Sequence, residues 1–161
     1  MAAAPVTIRR ANASDYVAIA DLLNRSFEVE RSHIIDEPET QSSVAAAVGR
    51  GGIYFVAVDS QDLIGCVFVD LGLRGIFKLA VEPSLRRQGH GRKLMAEAEK
   101  YGKDAGWPKV LTAILNFRSE LPKYYRDIGY VETGEHKPLV LEPPARALIP
   151  CHLIMMSKSF T

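Results

Sequence analysis

The sequence predicts a mixed α/β (α+β) fold, a twisted sheet of about seven strands with about four helices spread over both faces. Three observations carry this. Apolar β-rich runs alternate with amphipathic helical stretches along the chain. Two of those runs are consecutive and separated only by the turn-forming Asp59-Ser60-Gln61-Asp62, so an antiparallel hairpin sits within a sheet otherwise joined by crossovers. The 161 residues, 47% hydrophobic and 24% charged, suffice for one packed core and not two. Residues 1–161 are therefore read as a single domain.

The elements follow in order. Residues 6–10 alternate apolar and polar side chains and read as a strand. Asn12 offers a helix cap, and Ile19, Leu22, Leu23 and Phe27 recur at helical spacing behind it. Residues 28–40 are charged and irregular, and 41–50 form an Ala-rich helix stopped by Gly51-Gly52. The hairpin strands are 53–58 and 63–69. A third run, 76–81, ends ahead of Pro83, which cannot donate to a ladder. Leu94, Ala98, Tyr101 and Ala105 then mark the inner face of an amphipathic helix, with Lys93, Glu99, Lys100 and Lys103 mostly on the other side. Residues 110–115 read as a strand. A helix follows with Leu121, Tyr124, Tyr125 and Ile128 on one face and Pro122 tolerated near its start. Residues 130–133 and 153–156 are the last two strands. Between them, residues 136–150 hold four prolines and read as a surface loop, ordered or mobile.

Composition narrows the function classes. Twenty basic and nineteen acidic side chains leave a formal charge of +1, which removes the usual electrostatic ground for a nucleic-acid or anionic-membrane partner. Cys66 and Cys151 each sit in apolar runs and read as buried reduced thiols. The opening residues 1–6 have neither a basic segment nor a long apolar one, and no apolar run approaches the roughly 20 residues of a membrane span. A cytoplasmic setting is expected. His33, His90, His136 and His152 are isolated, so no metal site is expected.

Chemistry concentrates between the strand at 76–81 and the helix after it. Gly89 and Gly91 permit positive φ and close approach of a ligand, at a helix start where backbone N–H groups lack partners and the dipole is positive. Arg86, Arg87, Arg92 and Lys93 add cationic charge. Leu94 stands where a dinucleotide fingerprint needs its third glycine, and Gly91-Arg92-Lys93-Leu94 lacks the Gly-Lys-Ser/Thr of a P-loop. A glycine turn with solvated arginines is the plainer alternative.

The whole segment resembles the acetyl-CoA-binding motif of GNAT N-acetyltransferases, Val-x-Pro-x-x-Arg-x-x-Gly-x-Gly followed by a helix with Leu on its inner face. Val81, Pro83, Arg86, Gly89, Gly91 and Leu94 occupy those places, and Asn116 with Tyr125-Arg126-Asp127-Ile128-Gly129-Tyr130 is similar to the family's later motif. The resemblance implies acetyl-CoA (coenzyme A) as co-substrate. It implies that the backbone N–H groups of Gln88, Gly89, Gly91 and Arg92 hold the pyrophosphate, with Arg86, Arg87 and His90 in the same cofactor-binding loop. It further implies that the strand through Leu79, Ala80 and Val81 splays from its neighbour at 110–115 to pair with the pantetheine arm. Asn116 and Tyr125 complete the implied binding set.

By the same carry-over, Tyr125 is the acid that protonates the leaving thiolate, and the alternatives are a core aromatic or a role shared with Tyr124. Gly75 stands where the histone-modifying branch carries its basic Glu, so that base is missing. Glu28, Glu30, His33 and Asp36 are candidates to bind or deprotonate the amine, or are solvated surface. The expected activity is N-acetylation of a small-molecule or peptide amine by a monomer or homodimer. A non-catalytic acyl-CoA sensor is the rival, and a nucleic-acid binder using the arginine cluster a third reading.

Overall fold

A computed structural model describes residues 5–161; the part of the leader reading that falls on residues 1–4 lies outside them. A seven-stranded sheet forms in the order β1 (Thr7–Arg10), β3 (Gly52–Asp59), β4 (Asp62–Asp70), β5 (Gly75–Val81), β6 (Lys109–Leu115), β9 (His152–Ser159) and β7 (Val131–Pro138). Among the described residues only the β5–β6 pair of this sheet is parallel. Four helices cover the two faces: α1 (Tyr16–Ser26) and α2 (Gln41–Gly49) on one, α3 (His90–Asp104) and α4 (Leu121–Asp127) on the other.

Each helix starts where its sequence permits. Asn12 caps a 3-10 turn, Ala13–Asp15, that leads directly into α1, and the Thr40 hydroxyl accepts from the Ser43 N–H to open α2. The α1–α2 face buries Ile19, Leu22, Leu23 and Val44 against Tyr54, Val56 and Cys66. The opposite core gathers Leu94, Met95 and Ala98 of α3 against Ile53, Val67 and Ile76. Among the described residues, no helix is long and apolar enough to cross a membrane.

Three expectations need correction. Glu99 does not face water: it is 6% exposed, its carboxylate accepting from the Tyr130 hydroxyl at 3.1 Å and from Lys158 Nζ at 2.7 Å. The carboxylate is buried because both donors converge on it. Residues 136–150 are not one loop. β7 continues to Pro138, allowed because β7 is the sheet edge and its outer side needs no donor. Arg146–Ala147 forms β8, which pairs antiparallel with β2 (Ile34–Ile35) inside the segment read as irregular.

Cys151 is only partly covered, unlike Cys66, which is fully buried; both are free. Burial pushes the Cys66 thiol up to about 12, so its thiolate is negligible at neutral pH. A disulfide reagent is therefore expected to modify one thiol, Cys151, in the native protein and Cys66 only on unfolding. Mass mapping of the labelled chain with and without denaturant checks this.

Candidate active site

The sheet opens where two strands part. β5 and β6 meet at a single register pair, Gly75 with Leu111, so the backbone edge of β5 facing β6 runs on from Ile76 to Val81 without a strand partner. β5 is also bulged: Cys66 opposes Ala80 and Phe68 opposes Phe77, which sets Lys78 and Leu79 against Val67 alone. Lys78 takes the left-handed conformation there, φ 54°, a strain of order 1–3 kcal/mol in a non-glycine residue. Its ammonium meets Glu39 at 2.7 Å. A cleft of about 1110 Å³ occupies the opening, with Leu79, Ala80 and Val81 on its floor strand.

The loop from β5 to α3 forms one end. After a 3-10 turn at Pro83–Leu85, Arg87 (φ 64°) and Gly89 (φ 87°) both turn left-handed, and α3 begins at His90 with no side-chain cap. The helix thus presents its first N–H groups uncapped to the cleft. The two glycines have different reasons. Gly89 needs its positive φ, and a Cβ there would meet only open space. Gly91 lies inside the helix, and a Cβ there would lie 2.8 Å from the Tyr124 hydroxyl. The expectation of positive φ at 91 is therefore replaced by a packing reason.

Of the binding residues expected from the sequence, Leu79, Ala80, Val81, Arg86, Arg87, Gly89, His90, Gly91, Arg92 and Tyr125 line the cleft. Arg86 Nε reaches back to the Val81 carbonyl at 3.4 Å. His90 is buried at the loop's base, and its Nδ1 has no partner among the described residues. Gln88 and Asn116 do not line the cleft. Asn116 Oδ1 accepts from the His152 N–H at 3.0 Å, while its own N–H donates to the His152 carbonyl, so its side chain extends the β6–β9 ladder.

Tyr125 is 8% exposed, stacked edge-on between Tyr124 and Tyr130 with ring centroids 5.3 and 5.6 Å away. Burial chiefly, then Tyr124, pushes its phenol up to about 12, with hydrogen bonding to Thr112 pulling back. Burial also raises the Tyr124 phenol, against the pull of Arg92.

Of the four candidates for handling the amine, Glu30 and Asp36 line the cleft, whereas Glu28 and His33 do not; Glu37 and Glu39, outside those four, also line it. His33 stacks on Phe117 at 4.0 Å, and Glu82 is held by Arg25 at 2.8 Å. The sequence reading missed Arg118, which bonds Glu30 at 2.7 Å and Glu120 at 2.8 Å. The Arg118–Glu30 pair spans 88 residues, and no local pattern signals it. Among the described residues no group of His, Cys, Asp and Glu could hold a metal ion.

Comparison with known proteins agrees with this architecture. The model of the acetyltransferase (GNAT) domain matches residues 50–132. A GNAT acetyltransferase from Elizabethkingia anophelis, solved with acetyl-CoA bound, is 16% identical and superposes over 96% of this chain and 98% of its own with a TM-score of 0.70. The PaiA N-acetyltransferase of Thermoplasma acidophilum, in complex with coenzyme A, is 15% identical over 98% and 100% of the two chains, with a TM-score of 0.75. The ribosomal-protein-S18-alanine N-acetyltransferase of Escherichia coli is 16% identical over 98% and 95%, also at 0.75. No curated protein sequence matches. At such identities the structures speak for the fold alone. The family model, however, covers over half of the chain and takes in both the glycine turn and the parting strands, and on that ground the protein belongs to the GNAT acetyltransferases.

Proposed function

We propose that this protein is an acetyl-CoA-dependent N-acetyltransferase, built as one domain over residues 1–161, that acetylates a primary amine on a small molecule or peptide. The single observation that carries the reading is the divergence of β5 from β6 beside an uncapped α3, which joins an unpaired strand edge to an anion-binding turn in one cleft. The residues fit coenzyme A. Gly89 leaves open space above the turn, the tight approach at Gly91 excludes a side chain, and Arg86, Arg87 and Arg92 line that end. A polyanion with an extended amide-bearing arm matches both halves.

Bound acetyl-CoA supplies a thioester, an acyl group activated toward amines. The chain's own residues do the rest. The α3 N–H groups and the arginines hold negative charge, and the open edge of β5 offers amide groups to align an extended arm. Apolar Leu79 and Val81 help to exclude water. Tyr125 stays protonated at working pH and delivers its proton to the departing sulfur, whose thiol form ordinarily titrates near 8.5. Free cysteines at both positions agree with a reducing, cytoplasmic setting.

The test is thiol release from acetyl-CoA with a panel of diamines, arylalkylamines, free amino acids and short N-terminal peptides. At least one class is expected to be turned over. Tight acetyl-CoA binding with no class accepted would favour the acyl-CoA sensor.

A further inference from the structure

We infer that Glu30 is the catalytic base of this site, taking the proton from the incoming ammonium, with Arg118 as the positioning residue that fixes its carboxylate. The inference rests on the acetyltransferase reading above. Six carboxylates line the cleft: Glu30, Asp36, Glu37, Glu39, Glu120 and Asp127. Asp127 belongs to the loop end and pairs with Lys123 at 2.8 Å. Glu39 is held by Lys78 at 2.7 Å and by the Ser43 hydroxyl. Glu120 is largely exposed and bonded to Arg118. Asp36 and Glu37 are exposed at the mouth. Only Glu30 is a cleft carboxylate that is mostly covered yet half free: Oε1 accepts from Arg118 at 2.7 Å, and Oε2 has no hydrogen-bond partner among the described residues.

The surroundings suit a base. Arg118, 14% exposed, hangs from the turn between β6 and α4 and exerts its field on the Tyr125 phenol as well as on Glu30. One guanidinium therefore acts on both the group proposed to accept a proton and the group proposed to donate one, and both line the same cleft. The charged groups acting on Glu30 are Arg118, which favours its ionised form, and Glu120, which opposes it. Burial outweighs the arginine and raises the carboxyl above its ordinary value, which makes the anion more basic.

The step balances. An ammonium gives one proton to Glu30 Oε2 and becomes a neutral amine. The amine nitrogen then forms the bond to the acyl carbon as the carbon–sulfur bond breaks. The second nitrogen proton passes to water while Tyr125 protonates the sulfur; solvent returns a proton to the Tyr125 phenolate and takes the one held by Glu30, with one net proton released.

The test uses the full chain and the panel amine that the wild type turns over fastest. Glu30→Gln keeps an oxygen for Arg118 and is expected to lower kcat/KM about twenty-fold at pH 7, the deficit shrinking as pH rises toward the amine's own pKa. Acetyl-CoA affinity by calorimetry should be unchanged, and Glu30→Asp should recover part of the rate with the wild-type pH profile. A deficit equal at all pH values, or none, would overturn the base while leaving the acetyltransferase reading intact. A wild type silent toward every amine would overturn both. If Glu30→Gln weakens acetyl-CoA binding in step with turnover, the residue is structural and the proposal fails.

Discussion

Replacing Tyr125 with Phe is expected to lower kcat about a hundred-fold while changing the dissociation constant of acetyl-CoA by less than about three-fold. The ring is retained, so the edge-on packing with Tyr124 and Tyr130 survives. What is lost is a hydroxyl whose proton stays bound up to about pH 12, some three to four decades above the thiol it serves. For the same reason kcat of the wild type should show no alkaline limb from this group below about pH 10. Steady-state kinetics and calorimetry on the two proteins separate the effects. An unchanged kcat would move the acid's role to Tyr124, whose hydroxyl lies against Gly91 at the start of α3.

Gly89→Val should act on the other half of the reaction, weakening acetyl-CoA binding by about thirty- to a hundred-fold. A β-branched residue at φ 87° costs about 2–3 kcal/mol, and 1.4 kcal/mol is a decade of affinity. The added Cβ would meet nothing within 4 Å in the protein, so a loss reflects the turn's conformation and the space above it. Gly89→Asn, which tolerates the left-handed region, should lie between the two. Equal affinity for all three, measured by calorimetry, would remove the turn from the binding site.

Much of the fold was legible because its signals are local. The hairpin announced itself through its turn residues, α3 through its apolar stripe, and the cleft end through glycines at a strand–helix junction. The misreadings share a cause. Glu99 falls on the polar side of a helical wheel, yet its partners Tyr130 and Lys158 come 31 and 59 residues later. Four prolines suggest a loop, yet Pro138 can end an edge strand and Arg146–Ala147 can pair with residues more than a hundred positions earlier. Asn116 matched a motif by position, but its side chain is committed to His152 across the ladder. Gly91 was read as permitting positive φ and a ligand's approach, whereas what crowds it within the chain is the Tyr124 hydroxyl, and its φ is not left-handed.

The small β2–β8 ladder has a consequence for how the acceptor could be changed. Ile34–Ile35 and Arg146–Ala147 zip together at the cleft's rim, and Leu148 adds a bond from its N–H to the His33 carbonyl at 2.7 Å. Leu139 and Leu141, from the segment that leads to β8, line the same cleft as Glu30 and Ile34. The rim is thus a closure between two distant stretches of chain, and neither stretch alone carries its shape. Transplanting the amine preference of another acetyltransferase onto this scaffold would require both stretches to be exchanged together as a matched pair, since a graft of either one would leave the other's backbone groups without their complement.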